Sequence, residues 1–337
     1  MKGAIVTKPT YVDIAKRAGV GSATVERVLN GRGGVKEHTA QKVLLAARAL
    51  DWPGRMPEMH RGIIRIEVIL VRPDTSFYAR LARAFRRIAS SLDTTIQIHL
   101  TFLQEDDPVA ICERITNPSI RRSGLVIASP SHPQIGAALR KAHRGGLPIV
   151  QVVSKTIEEA DFVGIDNRAV GRMAGLMLSR SVGKEGTLVA LCHSQIYQVH
   201  KERIQGFSDF IERNPREGLN FNHVFFGMDD HNASVRCVME ALHLWPDLVG
   251  FYNAGGANTA ILQYLRRSGR KMFFAGHELT DVTRSSLADG TADVIFDQMP
   301  EAQARRATDL LFSKIGLLHE SVDNPPIRFT TITAENL

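Results

Sequence analysis

TYVDIAKRAGVGSATVERVLNGRGGVKEHTAQKVLLAARALDW, residues 10–52, holds three short apolar patterns of helical period separated by glycine-bearing turns. The first runs over about 12–18, with Ile14, Ala15 and Ala18 on one face. Gly19 ends it, because glycine takes the positive φ of a helix C-terminus without a Cβ clash. Val20 fills the turn, and Ser22 starts a second helix with Val25, Val28 and Leu29 apolar; a third follows over about 39–50. Helix, tight turn and helix is the arrangement that lays its second helix in the major groove of DNA. An ordinary helical hairpin has the same local pattern, so charge has to separate the two.

The 337 residues carry a formal net charge of +7. Eleven of the 42 Lys and Arg and five of the 35 Asp and Glu lie in residues 1–62, leaving 31 against 30 in the remainder. The positive excess therefore belongs to the N-terminal fifth, which suits a polyanionic partner whose counterions are released on binding. Beyond it, 44% hydrophobic and 23% charged residues describe a globular chain, and no apolar run is long enough to span a bilayer. The N-terminus, MKGAIVTKPTY, lacks the apolar core of a signal peptide, which predicts a cytoplasmic location without membrane association. Cys112, Cys192 and Cys237 are far apart in apolar stretches and read as buried free thiols. There is no CxxC, HExxH, GxSxG, P-loop or GxGxxG after a strand, so no metal, cofactor or enzymatic activity is expected. Gly255 and Gly256 read as a structural strand–helix turn.

From Ile63 onward, β-branched runs alternate with amphipathic segments. The runs are 63–71, 96–103, 124–128, 148–153, 187–191, 223–226, 248–252, 272–276 and 292–296, and the chain stops soon after a last strand, IRFTTIT. Such alternation predicts an α/β fold of doubly wound parallel sheets covered by helices. Nine or more strands are many for one open sheet, so two lobes are expected, with a small molecule held beyond the carboxyl ends of their strands.

The stretch Val12-Asp13-Ile14-Ala15, Ala18-Gly19-Val20, Thr24-Val25, Arg27-Val28-Leu29-Asn30, Val35 and Thr39 resembles the lactose-repressor (LacI) family. The remainder is similar, more loosely, to that family's core and to ribose-binding-protein-like periplasmic proteins. The resemblance implies three parts: a three-helix DNA-binding domain (1–52), a linker or hinge (53–62) and a two-lobed periplasmic-binding-protein-like core (63–337). One lobe would be about 62–165 with 299–326, the other about 166–298 with 327–337, joined by three crossovers. It further implies a homodimer on a pseudo-palindromic double-stranded DNA operator, with a sugar, polyol or sugar-derived effector between the lobes switching repression. With no leucine-heptad tail, a dimer is expected rather than a tetramer.

Carried over by position, Ser22, Ala23 and Arg27 would face the bases, and Tyr11, Thr24 and Asn30 would contact or orient the phosphate backbone. Arginine is suited to base readout because it donates twice to one guanine. Glu26 departs from the usual small polar residue. The linker, PGRMPEMHRG, departs further: Met56 or Met59 would be the minor-groove wedge of a hinge helix, while two prolines and two glycines fit a flexible linker equally well.

In the core the resemblance assigns the effector to Phe77, Tyr78, Ser154, Arg203, His231, Asn253, Glu278 and Gln298, most at strand ends or helix starts. His231 reads equally as a helix cap, and Asp166-Asn167 as an N-cap pair. Val153 and Ala128 stand where the family carries Asp and Asn, and Lys155 lies nearby. The first lobe's half of the cleft is therefore less acidic than in simple pentose binders, which admits an effector bearing a carboxylate or phosphate. The alternative is a cytoplasmic sugar-binding sensor that binds no operator.

Overall fold

The computed structural model describes residues 9–54, 63–72, 75–183, 185–194, 197–318 and 320–337. The chain forms two compact units, one carrying the N-terminal helices and the other beginning at Ile64.

In the first unit, α1 (Tyr11–Ala18), α2 (Ser22–Leu29) and α3 (Glu37–Ala49) enclose a small core of Ile14, Ala15, Val25, Val28, Leu29, Val43, Leu44, Ala46 and Ala47. The start of α1 is fixed by a capping box: the Asp13 backbone N–H donates to the Thr10 hydroxyl, and the Thr10 N–H donates to Asp13 at 2.8 Å. Its end is fixed by Gly19 at φ 67°, the left-handed turn that aims the chain into α2. Tyr11 and Trp52 close the unit, with ring centroids 5.1 Å apart.

The second unit contains two sheets. The first has the order β2-β1-β3-β4-β5, formed by β1 (Ile64–Val71), β2 (Ile96–Leu103), β3 (Gly124–Ile127), β4 (Ile149–Val152) and β5 (Asp161–Val163), all parallel. The helices α4 (Ser76–Ser90), α5 (Pro108–Thr116) and α6 (Pro133–Arg144) connect its strands. After β5 the chain crosses through α7 (Asn167–Ser181) into the second sheet, of order β11-β10-β9-β8-β6-β7. Its elements are β6 (Gly186–Cys192), α8 (Gln198–Arg213), β7 (Leu219–Phe226), α9 (His231–Leu244), β8 (Leu248–Asn253), α10 (Asn258–Ser268), β9 (Phe273–His277), α11 (Asp281–Ala288) and β10 (Val294–Asp297). The chain then returns through α12 (Pro300–Lys314), which packs on β3, β4, β5 and α4 of the first lobe, and crosses again to β11 (Thr330–Ile332).

Two expectations change. β11 runs antiparallel to β10, because the chain reaches the sheet edge from the third crossover rather than from a covering helix. Cys112 and Cys237 are half-buried, on α5 and α9, and only Cys192 is buried.

Both faces of the second sheet carry apolar clusters, one around Leu188, Phe207, Tyr252 and Phe296 and the other around Leu191, Phe251, Ile261 and Phe274. This two-sided cover explains why β6 and β10 are buried throughout and carry runs of consecutive apolar residues rather than an alternating pattern. Among the described residues no helix is long and apolar enough to cross a membrane.

Candidate functional site

The first unit presents α2 to solvent. Val25, Val28 and Leu29 anchor its inner face, so the helical period leaves Ser22, Ala23, Arg27 and Asn30 exposed and Thr24 at the boundary. Arg27 has no side-chain partner among the described residues. Glu26 pairs instead with Arg32 at 3.3 Å, on an exposed surface where such a pair contributes little. Tyr11 is half-buried against Trp52, which fixes the start of α1. Met59 lies outside the described residues, as does most of the 53–62 linker.

In the second unit, a cavity of about 590 Å³ lies between the sheets, at the carboxyl ends of their strands. Seven of the eight described non-glycine residues with positive φ sit at these ends: Arg72, Val153, Met228, Asp229, Ala257, Glu278 and Met299. Left-handed backbone at a β-branched residue such as Val153 is costly, and its concentration here marks a rim held in place by the surrounding structure.

The floor is built on α7 and α8. Gly171 and Gly206 let these helices approach until a Cβ on Gly171 would stand 2.0 Å from the Arg203 carbonyl oxygen. Arg203 is thereby carried into the cleft and is only 3% exposed. Its Nε donates to Asn167 Oδ1 at 2.9 Å, Nη1 to the Ala254 carbonyl at 2.9 Å, and Nη2 to Gln298 Oε1 at 2.5 Å. Gln298 in turn donates to Glu278, whose other oxygen faces Arg80 of the first lobe at 3.3 Å. Arg80 also binds Asp297 and, at 2.9 Å, Glu301. Burial, reinforced by the neighbouring Asp297 charge, lifts the Glu278 carboxyl to about 8 against the pull of Arg80.

Across the cleft, Arg72 reaches Asp229 at 2.5 Å and Glu105 at 3.3 Å, and lies over the Tyr197 ring at 5.8 Å. The Gly256 N–H donates to Asp229 at 2.6 Å. Burial drives His200 down to about 3, helped by the Arg203 charge, and holds His277 well below its ordinary range, so both rings are neutral. The Tyr197 hydroxyl and the Nδ1 atoms of His200 and His277 are buried on the cavity wall with no hydrogen-bond partner among the described residues.

Phe77, Tyr78, Arg203, His231, Glu278 and Gln298 line this cavity. Ser154 and Asn253 do not. Ser154 is buried one residue beyond Val153, which takes the wall position; Asn253 braces the following loop through Gly256 O at 2.7 Å and Asn258 at 2.8 Å. His231 is the exposed first residue of α9, while Asp230 caps that helix through the Ala233 N–H at 2.7 Å. Asp166 caps α7 alone, and Asn167 turns out to be buried and to hold Arg203. Arg72, Tyr197, His200, Asp229 and His277 were missed by the sequence reading. Arg72, Asp229 and His277 stand at or just past strand ends, and His200 lies one helical turn before Arg203, which is the signal that would have found them.

Known proteins match along the same division. The family model described as bacterial regulatory proteins, lacI family, matches residues 10–53, and that of the periplasmic binding protein domain matches 66–316. Catabolite control protein A of Streptococcus mutans is 34% identical over 242 residues, 68% of this chain and 69% of that one. The HTH-type transcriptional regulator MalR of Streptomyces coelicolor is 30% identical over 204 residues, 58% of this chain; DegA of Bacillus subtilis is 27% identical over 222, 61% of this chain. The chain spans 57% and 61% of the length of those two relatives. Among solved structures, an ABC transporter solute binding protein from Burkholderia graminis in complex with D-arabinose superposes with a TM-score of 0.73 at 18% identity, covering 82% of this chain and 97% of that one. One from Actinobacillus succinogenes with bound D-allose gives 0.71 at 14% identity, covering 81% and 98%. At those identities the likeness is one of fold.

Proposed function

Because this chain belongs to the lacI family of bacterial regulatory proteins, we propose that it is a sequence-specific DNA-binding transcriptional regulator, a repressor whose operator affinity is set by a small sugar-like effector between the lobes of its core. The observation that carries this is the outer face of α2, where Ser22, Ala23, Arg27 and Asn30 stand exposed on a three-helix unit that holds the chain's positive excess. Arg27 reads a guanine edge, and Thr24, Asn30 and Tyr11 fix register on the phosphates. The protein works as a homodimer on a pseudo-palindromic operator, in the cytoplasm.

The cleft is the effector site, with Arg203, His231, Glu278 and Gln298 as polar contacts and Phe77 and Tyr78 as apolar wall. The solute binding proteins of the same fold that hold D-arabinose and D-allose support a polyhydroxylated ligand. The protein acts by binding rather than catalysis, in keeping with relatives that are named as regulators.

Selection of binding sequences from a random duplex pool by the full-length protein tests this reading. Enrichment of a two-fold-symmetric sequence, with affinity altered by a polyhydroxylated ligand, is the expected result. No enrichment over random DNA would overturn it, and ligand binding without enrichment would leave a sugar-binding sensor.

A further inference from the structure

Two buried guanidinium groups reach the cavity, and their charges are matched differently. Arg72 is answered by two carboxylates, Asp229 at 2.5 Å and Glu105 at 3.3 Å. Arg203, the more deeply buried, forms no ion pair among the described residues. Its three hydrogen bonds end on a side-chain amide, a backbone carbonyl and a second amide. The carboxylate nearest in the network is Glu278, and Gln298 stands between them, accepting from Arg203 with one atom and donating to Glu278 with the other. Glu278 faces Arg80 instead. Burial dominates the Arg203 guanidinium and holds it below its usual range, and Glu278 and Asp229 offset that only in part.

A charge taken out of water and left unmatched is costly, so the match is expected to come from what enters the cavity. Arg203 has five N–H donors and uses three, which leaves a fork suited to two oxygens of one group. The wall also carries Asp229, which Arg72 answers, Glu278, which faces Arg80, and Asp281. The His200 and His277 rings are uncharged, and their Nδ1 atoms, with the Tyr197 hydroxyl, are buried without hydrogen-bond partners among the described residues. These three groups fit hydroxyls, which donate and accept equally well. Val153 on the opposite wall has a side chain without an acceptor.

Resting on the effector reading given above, we propose that the ligand is a polyol bearing an oxyanion, a sugar acid or a sugar phosphate, whose charged oxygens sit on Arg203 and whose hydroxyls meet Tyr197, His200 and His277. A cavity of about 590 Å³ holds a six-carbon molecule of either kind together with some water.

The test is calorimetric titration of the full-length protein with matched pairs: D-gluconate against sorbitol, D-glucuronate against D-glucose, and D-glucose 6-phosphate against D-glucose. The charged member of at least one pair is expected to bind tenfold tighter or more than its neutral partner. Preference confined to the first two pairs assigns a carboxylate, and confined to the third a phosphate. Arg203→Gln should bring the ratio near one, and Arg203→Lys should keep part of it; the wild-type ratio stands even where a variant fails to fold. Binding in which no charged member exceeds its neutral partner in any of the three pairs overturns the oxyanion and leaves a sugar-like effector in place. Binding by no member, from protein that still selects an operator, overturns both and leaves the DNA-binding reading.

Discussion

Arg72, the residue after β1, and Asp229, just beyond β7, form an ion pair of 2.5 Å that ties one lobe to the other across the cleft. Their side chains are 13% and 10% exposed, so the pair is poorly screened. Burial by itself would raise the Asp229 carboxyl, but Arg72 and the Gly256 N–H work against it, and the group is held below its ordinary 3.8. A depressed carboxylate contributes stability that is present above 3.8 and is lost as pH falls through the folded value. Removing one partner of a buried pair costs roughly 3–5 kcal/mol, and less where some exposure remains. Arg72→Met should therefore lower Tm near neutral pH by several degrees, and the gap to the wild type should narrow below about pH 4, where Asp229 no longer needs its partner. Thermal unfolding across pH checks this; a gap that stays constant into acid would show that the pair carries no charge-dependent stability.

Glu278 works in the opposite sense. Its folded value of about 8 lies above the ordinary 4.5, so folding favours the protonated form. The contribution is fully present below 4.5 and is lost as pH rises through about 8. Glu278→Gln removes the ionisation while keeping an uncharged group of the same shape. The variant should match the wild type in Tm near pH 5 and exceed it by several degrees at pH 9. Parallel Tm curves would mean that Glu278 is ionised throughout.

The two lobes are legible in the sequence because strand and helix periods alternate cleanly, and Phe77, Tyr78, Arg203 and Gln298 stand where a cleft is expected. What escapes is set by long-range geometry. Arg72 and Asp229 are 157 residues apart and meet only because β1 and β7 deliver their carboxyl ends to the same cleft. β5, of three residues, is too short to show a period, and the direction of β11 depends on a crossover rather than on its own residues. Asn167 carries a helix-start signal that Asp166 alone satisfies, which frees its side chain for Arg203. Asn253 stands off the cavity wall because the following loop engages its side chain, which donates to the Gly256 carbonyl and to Asn258 Oδ1 and accepts from the Gly255 N–H.

The seat of Arg203 depends on an absent side chain. A Cβ at Gly171 would stand 2.0 Å from the Arg203 carbonyl oxygen, a backbone atom that moves only if α8 moves. Gly171→Ala should destabilise by about 1–3 kcal/mol or more, as overpacking does. It should also weaken effector binding, because α8 carries Arg203 away from Asn167 and Gln298. Gly183→Ala is the control, since a Cβ there meets nothing within 4 Å. Equal Tm and effector affinity in the two variants would show that the α7–α8 approach does not position the guanidinium.

Arg27 is exposed on α2 beside the Glu26–Arg32 pair, which leaves its own guanidinium available to DNA. A bidentate bond to a guanine is worth ~1–3 kcal/mol of discrimination, so Arg27→Ala should weaken the selected operator about 5–150-fold. Random duplexes should lose far less. Salt separates base contact from phosphate contact, because each phosphate neutralised adds about 0.9 to the slope of log affinity against log salt. A base-reading Arg27 leaves that slope nearly unchanged on substitution, whereas a phosphate contact lowers it by about one and weakens all sequences alike. Electrophoretic or fluorescence titrations at several salt concentrations decide between them, and a uniform loss with a shallower slope would remove Arg27 from the base-reading set and leave recognition to Ser22, Ala23 and their neighbours.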